Sequence, residues 1–197
     1  VFTPTATLFS AVKQGQVADV VRAVRLGAAV NSFDNRGMTP LHYGAELGYS
    51  AIVEKLLELG ADPEARTRPY ARTPLHLALR EGRRQAAQTL IAHGADLGAK
   101  DDNGDTPLHF AGKSGQSWFA QHLIEAGYDI DLKNDYGDTP LHVATHSNNP
   151  ELAGLLIAHG AAISAPGILG QTPLHNTARW NAALTQLLLE KGAEVDA

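Results

Sequence analysis

Cysteine is absent from the 197 residues. That excludes disulfide staples, thiolate zinc sites and a Cys nucleophile together. It leaves the compartment open, because cysteine-free chains suit oxidising surroundings and bacterial cytosol alike. Positive charge is scarce too, with 16 Lys and Arg against 21 Asp and Glu and a formal net charge of −5. Phosphate binding needs a basic face, so nucleic acid is not expected as the main partner. No apolar run reaches the roughly 18 residues that a membrane-spanning helix requires. No signal-peptide pattern opens the chain, although a start at Val1 leaves room for a removed leader. The phosphate-loop, nucleophile-elbow and H-E-x-x-H signatures are missing. The Asp residues fall in turns and junctions rather than in paired-carboxylate arrangements. No catalytic residue, cofactor or metal is therefore expected.

What the chain does have is one tetrapeptide five times over: Thr39-Pro40-Leu41-His42, then the same four residues from Thr73, Thr106, Thr139 and Thr172. The steps are 34, 33, 33 and 33 residues. A fixed period of that size predicts a stacked-repeat architecture. Thr before Pro is a helix start: the hydroxyl accepts from an orphan N–H of the first turn, and Pro at the first helical position forfeits no bond. Nine residues after each Thr stand Gly48, Gly82, Gly115, Asn148 and Asn181, a slot where Gly or Asn accepts left-handed backbone. Twenty-one residues after come Gly60, Gly94, Gly127 and Gly160, with Gly192 one residue early. Second helices carry apolar residues at helical spacing, such as Val53, Leu56 and Leu57. Such a stripe is buried only by a neighbouring repeat.

These residues resemble the ankyrin repeat, whose pattern is T-P-L-H-x-A over 33 residues. Extending the frame back aligns Leu8, Gly15 and Gly27 and gives six repeats over nearly the whole chain. The resemblance implies an all-α repeat solenoid of six helix-turn-helix units with projecting β-hairpin fingers. The expected organisation is a single domain, 1–197, after a short extended lead-in. Its repeats are 6–38 (N-terminal cap), 39–72, 73–105, 106–138, 139–171 and 172–197 (C-terminal cap). Asn149-Pro150-Glu151 is expected to cap and open a second helix. The chain ends at Ala197, where another finger would begin, so an origin in a longer protein stays open.

Nine histidines invite a metal or catalytic reading. Five belong to the repeated motif, and helix pairs pack about 10 Å apart, whereas zinc needs ligands near 2 Å. The resemblance implies instead that each motif His bonds its Thr and the backbone of the next repeat. His93 and His159 close helices, where the dipole favours them.

In the family, finger tips and the exposed side of the short helices line a concave groove that grips proteins. The positions map to Phe33, Arg36 and Met38 with Leu47. The next finger gives Arg66, Arg68, Tyr70 and Arg72 with Arg80. It carries one extra residue and no Gly. Asp102, Asn103 and Asp105 follow with Lys113, then Asp135, Tyr136 and Asp138 with His146. The last set is Ile168, Leu169 and Gln171 with Arg179 and Trp180. Aromatics and Arg dominate interface energies. Fingers near 66–72 are basic and those near 101–105 and 135–138 acidic, an arrangement that can set a partner's register.

The expected function is a non-catalytic protein-binding module, monomeric on its own, recognising a folded partner in this groove. Two alternatives stand beside it. One is an inhibitor or self-protection protein that blocks a partner enzyme with the Arg-rich finger. The other is an ankyrin region of a larger signalling or scaffold protein. A cytoplasmic location is expected, with a periplasmic one after leader removal as the alternative.

Overall fold

The computed structural model describes residues 3–177 and 181–195. Contacts divide the chain into two compact units, Val1–Asp102 and Asn103–Ala197. The first holds α1 (Pro4–Lys13), α2 (Val17–Arg25), α3 (Pro40–Leu47), α4 (Ser50–Glu58), α5 (Pro74–Arg80) and α6 (Arg84–Ala92). The second holds α7 (Pro107–Ser114), α8 (Ser117–Glu125), α9 (Pro140–His146), α10 (Pro150–Ala158), α11 (Pro173–Thr177) and α12 (Ala182–Glu190). One 3-10 turn, Ile168–Gly170, precedes α11. No strand occurs among the described residues.

The repeated motif starts the inner helices as its chemistry requires. Thr39, Thr73, Thr106 and Thr139 are extended N-caps, each followed by Pro and each closing a capping box. His fills the position that Glu or Gln usually takes in this device. The backbone N–H of Thr39 donates to His42 Nδ1 at 3.1 Å, which makes Nδ1 an acceptor and leaves the proton on Nε2. That proton reaches the Arg72 carbonyl of the next finger at 3.0 Å. His76 meets the Ala99 carbonyl at 3.1 Å, His109 that of Asp138 at 3.0 Å and His142 that of Gln171 at 3.1 Å. One imidazole thus closes each of α3, α5, α7 and α9 onto the following finger, as the resemblance implies. Burial pushes His42, His109 and His142 below the ordinary imidazole range, which keeps them neutral.

Leu41, Leu75, Leu108 and Leu141 occupy one register, and all are buried. Burying a Leu side chain contributes about 1.5–3 kcal/mol. In the first unit α1, α3 and α5 lie side by side, with α2, α4 and α6 as a second row. In the second, α9 packs against both α7 and α11, and α8 against α10. The second-row stripe is buried through Val53, Leu56, Leu90, Leu123 and Leu156.

Four local expectations are corrected. The lead-in expected over 1–5 is already helical from Pro4: extended Thr3 caps α1, its Oγ1 accepting from the Ala6 N–H at 3.2 Å. Asn148 takes left-handed backbone (φ 58°) as expected, but Asn181 is extended at φ −142°. It caps α12 instead, Oδ1 accepting from Leu184 at 2.9 Å. Asn149 makes no cap bond, because its amide donates to the Gly112 carbonyl at 2.6 Å. Finally, the fingers are closed turns rather than β-ladders. Asp34, Asn134 and Gly167 each donate one backbone bond to the residue four places on. Too few residues flank each tip for a ladder to follow.

Candidate functional site

The finger tips are held by side chains that mimic backbone. Asp34 Oδ1 accepts from the N–H of Arg36 at 2.9 Å and of Met38 at 3.0 Å, an Asx turn. Its Oδ2 takes the Tyr43 hydroxyl proton at 2.7 Å. Burial alone would raise the Asp34 carboxyl, but the Tyr43 and backbone bonds outweigh it and the net shift is downward. Burial, with the Asp34 contact next, pushes the Tyr43 phenol up to about 12. Asn134 repeats the device, accepting from Tyr136 and Asp138 at 3.0 Å each. Thr67 substitutes for it in the longer finger, accepting from the Arg72 N–H at 3.0 Å. There Tyr70 (φ 89°) and Ala71 (φ 49°) are left-handed without being Gly. Such residues cost of order 1 kcal/mol or more each.

In the first unit the groove is basic and stiffened by rings. Arg36, Arg68, Arg72 and Arg80 line it over Met38 and Leu77, around a volume of about 240 Å³. Arg68 stacks on Phe33 at 4.9 Å and Arg72 on Tyr70 at 4.8 Å. Arg72 also pairs with Asp101 at 3.3 Å, and Arg80 with Glu46 at 2.9 Å and Glu81 at 2.8 Å. Arg66 is turned away, its guanidinium donating to the Lys100 carbonyl at 2.7 Å. Tyr70 is 54% exposed, and Phe33 is exposed beside it. Leu47 is half-buried at the end of α3. Asp102 Oδ2 accepts from the Tyr70 N–H at 3.1 Å.

The groove of the second unit encloses about 380 Å³. Tyr136, Val143 and Ile168 give it apolar walls, and Asp138, His146 and Gln171 its polar rim. Tyr136 is 51% exposed, with its hydroxyl donating to Asn103 Oδ1 at 3.4 Å. Leu169 is 93% exposed at a left-handed tip. Asp135 is exposed next to Tyr136.

Two residues expected at the binding surface lie beneath it. Met38 is 7% exposed and forms groove floor. Asp105 is 4% exposed: its carboxylate accepts from Lys113 Nζ and Asn134 Nδ2. Burial favours its neutral form, yet those two donors hold the carboxyl below the usual range. With Asp101 paired and Asp102 bonded to Tyr70, much of the acidity of the 101–105 stretch is spent inside the fold. Arg179 and Trp180 lie outside the described residues. Sequence reasoning missed Val143 and Asn176, which also line the groove of the second unit. Val143 follows the motif His directly, so the motif register was a usable signal. Asn31 bridges repeats, its amide joining the Gly60 carbonyl to the Asp62 N–H of the next repeat.

No helix among the described residues is long and apolar enough to cross a membrane. The family described as ankyrin repeats (3 copies) matches residues 3–67, 64–134 and 113–197. The human ASB11 ankyrin repeat domain superposes over 96% of this chain and 85% of its own, with TM-score 0.85 and 28% identity. The inactive serine/threonine-protein kinase TEX14 of Bos taurus is 34% identical over half of this chain but only 7% of its own length. The human ARF GTPase-activating protein GIT1 is 35% identical over 43% of this chain and 11% of its own length. The alignments therefore span only a small part of these relatives. Motif, capping geometry, imidazole bridges and family match agree: this chain belongs to the ankyrin repeat family, a protein-interaction fold rather than an enzymatic one.

Proposed function

We propose that the chain binds a folded protein partner, or a loop of one, through the concave grooves of its fingers and inner helices. The observation that carries this reading is a contrast within each repeat. The polar groups of the motif bond one another or the next finger, whereas Tyr70, Tyr136, Ile168 and Leu169 stand exposed at the groove rims. Exposed rings and aliphatics on stiff backbone present contact area with little ordering entropy left to lose. The test is capture of a partner from the native source by the full chain. Tyr70→Ala together with Tyr136→Ala should weaken capture at least about tenfold, as loss of interface anchors does, with the helical circular dichroism unchanged. Unchanged affinity would remove the grooves from consideration.

A further inference from the structure

We propose that the groove of the second unit is a receptor for a cationic side chain, an arginine or lysine carried on a basic, aliphatic segment of the partner. The proposal rests on the protein-binding reading above and specifies its chemistry. Its geometry comes from three finger and helix positions. Val143 and Ile168 supply apolar wall along which a long methylene stem can lie. Tyr136 presents a half-exposed ring, fixed by its backbone N–H to Asn134 and its hydroxyl to Asn103. A guanidinium or ammonium gains from such a ring face.

Asp138 supplies the charge. Its backbone is clamped on both sides, the N–H to Asn134 at 3.0 Å and the carbonyl to His109 at 3.0 Å. Oδ1 accepts from the Ile168 N–H at 3.2 Å, while Oδ2 has no hydrogen-bond or ion-pair partner among the described residues. Lys113 lines the groove but is committed to Asp105 at 2.6 Å, and Lys133, outside the lining, donates to the Pro166 carbonyl at 2.8 Å. A half-buried groove carboxylate with one oxygen left open fits a charge-assisted bond from a partner.

The field around the groove has the same sign. After residue 102 the chain has ten Asp and Glu against four Lys and Arg, a net charge of −6. A cleft of that sign concentrates cations and speeds their encounter. An acidic segment would meet repulsion at Asp138 and a neutral one would leave Oδ2 without a partner, so a basic segment is the occupant this groove selects.

The experiment uses the full chain, isotope-labelled, with the peptide Ala-Leu-Arg-Leu-Ala and its counterpart bearing citrulline, a neutral isostere of arginine. A Glu-for-Arg peptide is the third probe. At millimolar concentration the Arg peptide should shift the Tyr136, Val143 and Ile168 resonances. Citrulline should bind about tenfold more weakly, and so should the Arg peptide to Asp138→Asn. The asparagine keeps an acceptor for the Ile168 N–H and so preserves the finger. Combining both changes should cost little more than either alone, because both delete one contact. Equal binding of citrulline, preference for the Glu peptide, no response of Asp138→Asn, or no shift at all would each overturn the proposal. If Tyr136→Ala still weakens capture of the native partner while Asp138→Asn does not, the cationic receptor fails and the protein-binding reading stands.

Discussion

The two units share one backbone plan and differ sharply in charge. Twelve of the sixteen Lys and Arg lie before residue 103, while the acids split eleven and ten. The first unit therefore carries +1 and the second −6. In the first, arginines stack on Phe33 and Tyr70 or pair with carboxylates, so the groove is cationic and already internally stiffened. In the second, Tyr136, Val143 and Ile168 give the groove apolar walls, and a carboxylate oxygen stays open. The comparison teaches that decoration varies independently of the scaffold. Thr, His and the buried Leu repeat because each closes a local bond or fills a fixed register. Finger-tip residues are bound by neither demand.

The largest effects are expected in the cores. Leu75→Ala and Leu141→Ala, both at fully buried positions, should each cost about 2–5 kcal/mol. We expect one urea transition that either substitution shifts, as a single repeat domain requires. Two transitions, each answering to one substitution, would make the units separate folding bodies.

The next is a matched pair of glycines at finger tips three repeats apart. Both are left-handed, φ +68° at Gly37 and +81° at Gly137. A Cβ on Gly37 would lie 2.3 Å from the Arg68 carbonyl oxygen, whereas on Gly137 it would meet nothing nearer than 3.7 Å. Gly137→Ala should cost about 1 kcal/mol, the price of left-handed backbone alone. Gly37→Ala should cost at least twice that, read from urea midpoints, because finger backbone must move apart. Equal losses would mean that the two fingers are not docked as differently as described.

The gentlest probe is acid. Folded His42, His109 and His142 titrate below the ordinary value near 6.5, so the unfolded chain protonates first. Their contribution is full above about pH 6.5 and is lost as pH falls through the lower folded values. Asp34 and Asp105, held down, keep theirs until pH drops below the usual carboxylate value near 3.9. Glu64, raised by burial, works the opposite way just above its ordinary range. Urea midpoints should be level above about pH 7 and decline below 6.5. Gln can fill the same capping position without titrating. His109→Gln with His142→Gln should flatten the decline more than His42→Gln does. A midpoint that rose on acidification would contradict the buried neutral imidazoles.

The fold was legible because its signals are local and repeated. Thr-Pro, a left-handed Gly or Asn, and one Leu per period each state a backbone requirement, and five copies remove coincidence. Legibility failed where one residue type serves two purposes. Asn181 and Asn148 stand at the same step, yet one caps a helix and the other turns the chain. Asp105 and Asp138 are both finger acids, yet one is buried on Lys113 and the other faces the groove. Sequence order cannot separate them, because the distinction lies in which neighbour reaches each carboxylate.

The sequence by itself determined the repeat length and the helix starts, since both follow from contacts within one period, whereas the imidazole bridges came only with the family resemblance. Only the tertiary structure decided which charges are spent and which stay available. That depends on side chains some 29 to 34 residues apart meeting across repeats, as Asn134 meets Asp105 and Arg80 meets Glu46. Such pairings are set by packing, and packing is not written in any single period.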